Sequence, residues 1–161
     1  MKTETSTTHF RKVLLTLCII IFCLPILTSC SSLNTNSKAE IEEFQNTINK
    51  AQNSKIIVLD VYHNRCESCK EIEPTIEKLK EEYSTNNSVV FLKYDLSNPF
   101  TLFKSRRIAK PLGIEEIYKS QRFSGVVLII DPKSKQVLET IIAEPNIDKY
   151  RQIIEARLAN A

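Results

Sequence analysis

"LDVYHNRCESCKEIEPTIEKLKEEY", residues 59–83, is the stretch on which the reading of the whole chain turns. It opens with the end of a β-branched, apolar run. It then places Cys66 and Cys69 two residues apart, and continues with Ile72, Ile76, Leu79 and Tyr83 at the spacing of one helical face. Pro74 lies inside that helical run, where it removes one backbone hydrogen bond and bends the helix. The helix begins around Glu67, so Cys66 falls at its N-terminus, where unpaired N–H groups and the helix dipole favour negative charge. At this level three readings of the pair stand open: a working redox couple, half of a metal site, or a structural disulfide.

Working outward, residues 55–63 form a buried strand in which Asp60 is the odd residue. Before it, residues 39–52 read as an amphipathic helix carrying Ile41, Phe44 and Ile48 on one side. After the central helix come a strand over 88–96, a helix over 99–113 ending near Pro111 and Gly113, and a polar segment 115–122 that is a short helix or a loop. A strand over 125–131, a Pro132 turn, a strand over 136–143 and a helix over 146–158 capped by Asn146 complete the chain. Strand–helix–strand units require parallel neighbours joined by crossovers, and the last two strands form a hairpin. The expectation is an α/β fold: a central mixed sheet of four strands with helices on both faces.

The N-terminus stands apart. Arg11 and Lys12 precede an uncharged apolar run, residues 13–27, of signal-peptide length and short for a membrane-spanning helix. "LTSC", Leu27–Cys30, follows at once and resembles the lipobox of bacterial lipoproteins: an aliphatic residue, two small residues, then cysteine. That resemblance implies cleavage after residue 29, lipidation of Cys30 and anchoring in a membrane, where two or more acyl chains hold stably. The chain then divides into a signal peptide (1–29), a lipidated cysteine with a flexible tether (30–38) and one folded domain (39–161). Removing 1–29 takes away Lys2, Arg11, Lys12 and Glu4, so the net charge of +3 falls to near neutrality and gives no basis for nucleic-acid binding. Cys18 and Cys23 leave with the signal, and Cys66 and Cys69 remain as the free thiols. An exported chain with one such pair, and His63 as its one histidine after cleavage, favours redox chemistry over a zinc site, which needs four ligands.

The run from "LDVYHNRC" through "CESCKEIEPTIEKLKEEY", followed by a strand, "KYDLSNP", a helix ending in "LGI", a strand hairpin and a last helix, resembles the thioredoxin superfamily over residues 40–158. The resemblance implies a thioredoxin-like three-layer α/β/α fold. It also implies a protein disulfide reductase or isomerase activity without a cofactor and without a metal. It makes Cys66 the nucleophile, Cys69 the resolving thiol and Asp60 the buried acid that helps deprotonate Cys69; burial of such a carboxyl raises its pKa. His63, Arg65 and Glu67 surround Cys66 as tuning residues, the two charges opposing each other. The family places a tryptophan where Arg65 stands. It also places a cis-proline before the third strand, where this chain has Ser124 and Gly125; a cis bond is rare without proline, so a trans peptide is expected there. Partners implied are thiols and disulfides of exported proteins, a membrane electron donor and the membrane itself, in an extracytoplasmic cell-envelope setting of periplasmic type. Two other readings of the same pair are capture and delivery of copper, which thiolates favour as Cu(I), and a non-catalytic lipoprotein with a structural disulfide.

Overall fold

The computed structural model describes residues 33–160. Residues 1–29, expected as a signal peptide, the lipobox-like Leu27–Cys30 and the expected lipidation site Cys30 lie outside the described residues. Compactness divides the chain into residues 1–42 and residues 43–161, within the first helix. That helix, α1, spans Leu33–Asn53. The remaining elements are β1 (Ile56–Tyr62), α2 (Glu67–Glu82), β2 (Val89–Asp95), α3 (Pro99–Leu112), α4 (Glu115–Ser120), β3 (Val126–Asp131), β4 (Gln136–Ile142) and α5 (Ile147–Ala159).

The four strands form one sheet in the order β2-β1-β3-β4. β1 pairs with β2 in parallel and with β3 antiparallel, and β3 and β4 form the antiparallel hairpin. β1 is thus central, which is why six of its seven residues are buried and it reads as an apolar run interrupted by Asp60. Successive side chains alternate between faces. Ile57, Leu59 and Val61 join Ile48, Ala109, Leu112 and Tyr118 in the core under α1, α3 and α4. Ile56 and Val58 join Ile72, Ile76, Leu79, Tyr150 and Ile154 in the core under α2 and α5. The expected mixed α/β sheet with helices on both faces is the observed one.

Two expectations change. Residues 33–38, expected as part of a flexible tether, are helical. Their Asn, Thr, Ser and Lys side chains disfavour a helix by only fractions of a kcal/mol each, so a helix nucleated further along propagates through them. Of the three residues read as the apolar face of this helix, Phe44 and Ile48 pack while Ile41 is 61% exposed. The ambiguous segment 115–122 resolves as a six-residue helix, α4, that buries Tyr118.

Candidate functional site

β1 ends at Tyr62 and the chain turns through His63–Cys66 into α2. The turn is held locally: the Cys66 amide donates to His63 O (3.0 Å) and the Arg65 amide to His63 Nδ1 (3.0 Å). The Asn64 amide donates to Ser97 Oγ (2.9 Å), tying this loop to the one after β2. His63 therefore shapes the turn that delivers Cys66. Cys66 is the N-cap of α2, and its Sγ accepts the Cys69 amide at 3.1 Å. Cys66 and Cys69 form a disulfide with Cα atoms 5.2 Å apart. Cys66 is partly exposed and Cys69 is 1% exposed. One residue of the pair is therefore partly open to solvent and the other is buried.

Gly125, the residue just before β3, comes close to the pair. Its amide donates to Val61 O (2.9 Å), the carbonyl that also lies 3.9 Å from Cys69 Sγ. A side-chain carbon at Gly125 would sit 3.4 Å from Cys66 Sγ and 3.2 Å from Ser68 Cβ. Its φ of +77° is one that residues other than glycine rarely adopt. Glycine thus fits both the conformation and the close approach. No cis peptide occurs among the described residues, and Ser124, partly exposed, leads into Gly125 by a trans bond.

The two charges flanking Cys66 are not equivalent. Glu67 is exposed and forms an ion pair with Lys70 (2.8 Å), one turn along α2. Arg65 is exposed and has no ion pair among the described residues. The opposition expected from sequence is therefore weakened on the acidic side, leaving a net positive rim.

Asp60 follows Val58 on the α2 side of β1 by the two-residue period of the strand. It is 6% exposed, and its Oδ1 has no hydrogen-bond partner among the described residues. Burial raises its pKa from 3.8 to about 6, with Lys93 and Lys80 pulling it down and Glu73 and Glu77 pushing it up. Lys93 is its register neighbour on β2. The Lys93 ammonium lies 3.3 Å from Glu73 Oε1 and 3.5 Å from the centre of the Tyr62 ring. Sequence reading missed this group of residues. The available signal was a lysine in the middle of the apolar run "SVVFLKYDL", but its pairing with Asp60 depends on sheet register.

The structure therefore brings Asp60, Cys66, Cys69, Ser124 and Gly125 to one end of the sheet, with His63 inside the turn and Arg65 and Glu67 at its rim. Among the described residues no group of three or more His, Cys, Asp or Glu side chains is arranged to hold a metal ion.

The thioredoxin family model matches residues 5–112, a stretch that includes β1, the cysteine pair, α2, β2 and α3. The chain belongs to the thioredoxin family. Thioredoxin-1 of Drosophila yakuba is 45% identical over 77 residues, 47% of this chain and 72% of that protein. A chloroplastic F-type thioredoxin of Brassica napus is 44% identical over 68 residues, 42% of this chain. That match spans only 33% of the Brassica protein. A solution structure of a thioredoxin-type protein from Neisseria meningitidis superposes with a TM-score of 0.51 at 18% identity, covering 70% of this chain and 81% of that one. At that identity the likeness concerns the fold alone. The β3–β4 hairpin and α5 lie beyond the family match and complete the thioredoxin fold in this chain.

Proposed function

We propose that this thioredoxin-family chain is a thiol–disulfide oxidoreductase that exchanges disulfides of exported proteins while held at a membrane by lipidated Cys30. The observation that carries the reading is the asymmetric pair: a partly exposed Cys66 capping a helix N-terminus, bonded to a buried Cys69. In the reduced protein, the Cys66 thiolate attacks one sulfur of a substrate disulfide. The substrate S–S bond breaks, its departing sulfur takes a proton, and a mixed disulfide forms. Cys69 then loses its proton and attacks Cys66 Sγ, the mixed disulfide breaks, and the second substrate thiol leaves. Two electrons pass to the substrate and Cys66–Cys69 is oxidised. We assign the Cys69 proton to the Asp60 carboxylate, a buried group on the face of β1 that α2 covers, with its pKa raised to about 6. Running the steps backwards oxidises a substrate dithiol, and a membrane electron donor would reset the pair for reduction.

The membrane part of the reading is supported by the apolar run 13–27 and the lipobox-like "LTSC". An anchor raises the effective concentration of partners on the same surface.

The test uses the full chain and a disulfide-linked reporter protein. Cys66→Ser is expected to abolish reduction, and Cys69→Ser to accumulate a covalent complex with the reporter. Unchanged turnover in both variants would overturn the redox reading. Incorporation of labelled fatty acid that persists in Cys30→Ser would overturn the anchor.

A further inference from the structure

α3 packs on the sheet through Ser105, Ala109 and Leu112. At 100° per residue its opposite, outward face carries Phe100, Phe103, Lys104, Arg107 and Lys110. Phe100 is 76% exposed and Phe103 64% exposed, a large apolar area to leave in water. The 14-residue helix has four cationic side chains and no acidic one. Elsewhere, surface lysines 70, 80, 119 and 149 are each paired with a glutamate. Lys104, Arg106, Arg107 and Lys110 form no ion pair among the described residues. Arg106 instead donates to the Tyr94 hydroxyl (3.3 Å) and Arg107 stacks 5.1 Å from the Phe44 ring centre. Between α1 and α3 these side chains border an open groove of about 620 Å³, whose lining includes one carboxylate, Glu115.

We propose that this face docks on an anionic lipid bilayer. Phe100 and Phe103 enter the boundary between headgroups and acyl chains, and lipid phosphodiesters meet Arg106, Arg107 and Lys110 at the groove. Aromatic residues flanked on both sides by unpaired cations form the pattern of helices that lie in the plane of a membrane interface. A bilayer accounts for both features at once: the phosphodiesters meet the cations and the acyl boundary takes up two rings that are 76% and 64% exposed. The contact is separate from the anchor at Cys30: it uses side chains of the folded domain and selects lipid by charge. Both helices start at the same end of the sheet, but α2, which Cys66 caps, packs on the opposite face from α3, so Cys66 is expected to stay accessible.

The chain contains no tryptophan, so Phe103→Trp gives a single fluorophore on this face. The full chain would be reconstituted into vesicles of phosphatidylcholine, with or without phosphatidylglycerol, carrying brominated acyl chains. The expected result is a blue shift and quenching of the introduced indole only on the vesicles containing phosphatidylglycerol. Ile142→Trp, on exposed edge strand β4, should stay unquenched on both. Each cation near an anionic surface contributes about fivefold in partitioning, so the triple charge reversal K104E/R107E/K110E should remove the contrast between vesicles. Cys66 of the reduced protein should remain open to a water-soluble alkylating reagent throughout. Equal quenching on both vesicles would show tethering alone and overturn the proposal. So would no quenching on either, which would leave the face to an acidic protein, and so would protection of Cys66. The same contrast is expected in Cys30→Ser, so failure of the anchor and failure of this contact are read separately.

Discussion

Two helices, α2 and α3, start after neighbouring parallel strands, at the same end of the sheet, and their first turns are built differently. α3 opens on Asn98, whose Oδ1 accepts the amides of Phe100 (2.9 Å) and Thr101 (3.0 Å). In return, Thr101 Oγ1 accepts the Asn98 amide at 3.2 Å, and Pro99 fills the first position, where no donor is needed. α2 opens on Cys66, whose sulfur takes a single amide, that of Cys69. Sulfur is a weak acceptor, so as a stability device the second cap is the poorer one. What it supplies is an N-terminal field directed at a sulfur that carries negative charge during exchange. The start of α3 is built to hold a helix, and the start of α2 to hold a charge.

The largest way to break this contrast lies beneath α2. The native protein holds the Asp60 proton more tightly than the unfolded chain does, because burial disfavours the carboxylate. Its contribution to stability is therefore greatest below the unfolded pKa of 3.8 and declines as the pH rises to about 6. Moving the pKa from 3.8 to about 6 corresponds to about 3 kcal/mol of destabilisation once the group is ionised. Asp60→Asn removes this dependence. Urea unfolding should show the variant gaining about 3 kcal/mol over wild type between about pH 3 and about pH 7. Parallel stability curves would mean that Asp60 is not desolvated, and the site would lose its internal base.

Much of this arrangement was legible in the sequence. Continuous apolar runs located β1 and β3, alternation located β4 and helical spacing located α2, each to within about two residues. Asp60 stood out because a carboxyl inside an apolar strand is costly to bury and so marks a group with a task. The resemblance to the thioredoxin superfamily, whose cis-proline precedes the third strand, marked Ser124 and Gly125 as the positions facing the cysteines. Lys93 and Glu73 were hidden because their meeting with Asp60 depends on strand register and on how α2 crosses the sheet, both long-range. The outward face of α3 was hidden for a related reason: sequence gives its cations and phenylalanines but not which of them the fold leaves uncovered. The early start of α1 was missed because polar residues are weak helix breakers and mark a boundary poorly.

A smaller effect is expected above α2. Gly125→Ala forces a left-handed backbone on an L-residue, at a cost of about 1–2 kcal/mol. It also places a methyl group 3.4 Å from Cys66 Sγ. Gly113, the C-cap of α3, has a similar φ of +69°, yet a carbon there would meet only the Lys135 side chain, at 3.5 Å. The paired experiment is direct. Both alanine variants should lose similar stability in urea, but only Gly125→Ala should slow alkylation of Cys66 in the reduced protein. Equal alkylation rates would separate Gly125 from the chemistry and leave it a backbone residue alone.

The smallest expected effect tests the other helix start. Asn98→Ala removes an oxygen that satisfies two amides and leaves only the return bond from the Asn98 amide to Thr101 Oγ1, which should cost about 1 kcal/mol. The loss should appear as faster hydrogen exchange at Phe100 and Thr101, with Cys66 alkylation unchanged. One link could carry the disturbance across: the Asn64 amide in the loop before Cys66 donates to Ser97 Oγ, next to Asn98. If alkylation of Cys66 does change, that link couples the two helix starts, and the division between one built for stability and one built for charge no longer holds. If it does not, the loop after β2 can be rebuilt without touching the redox end.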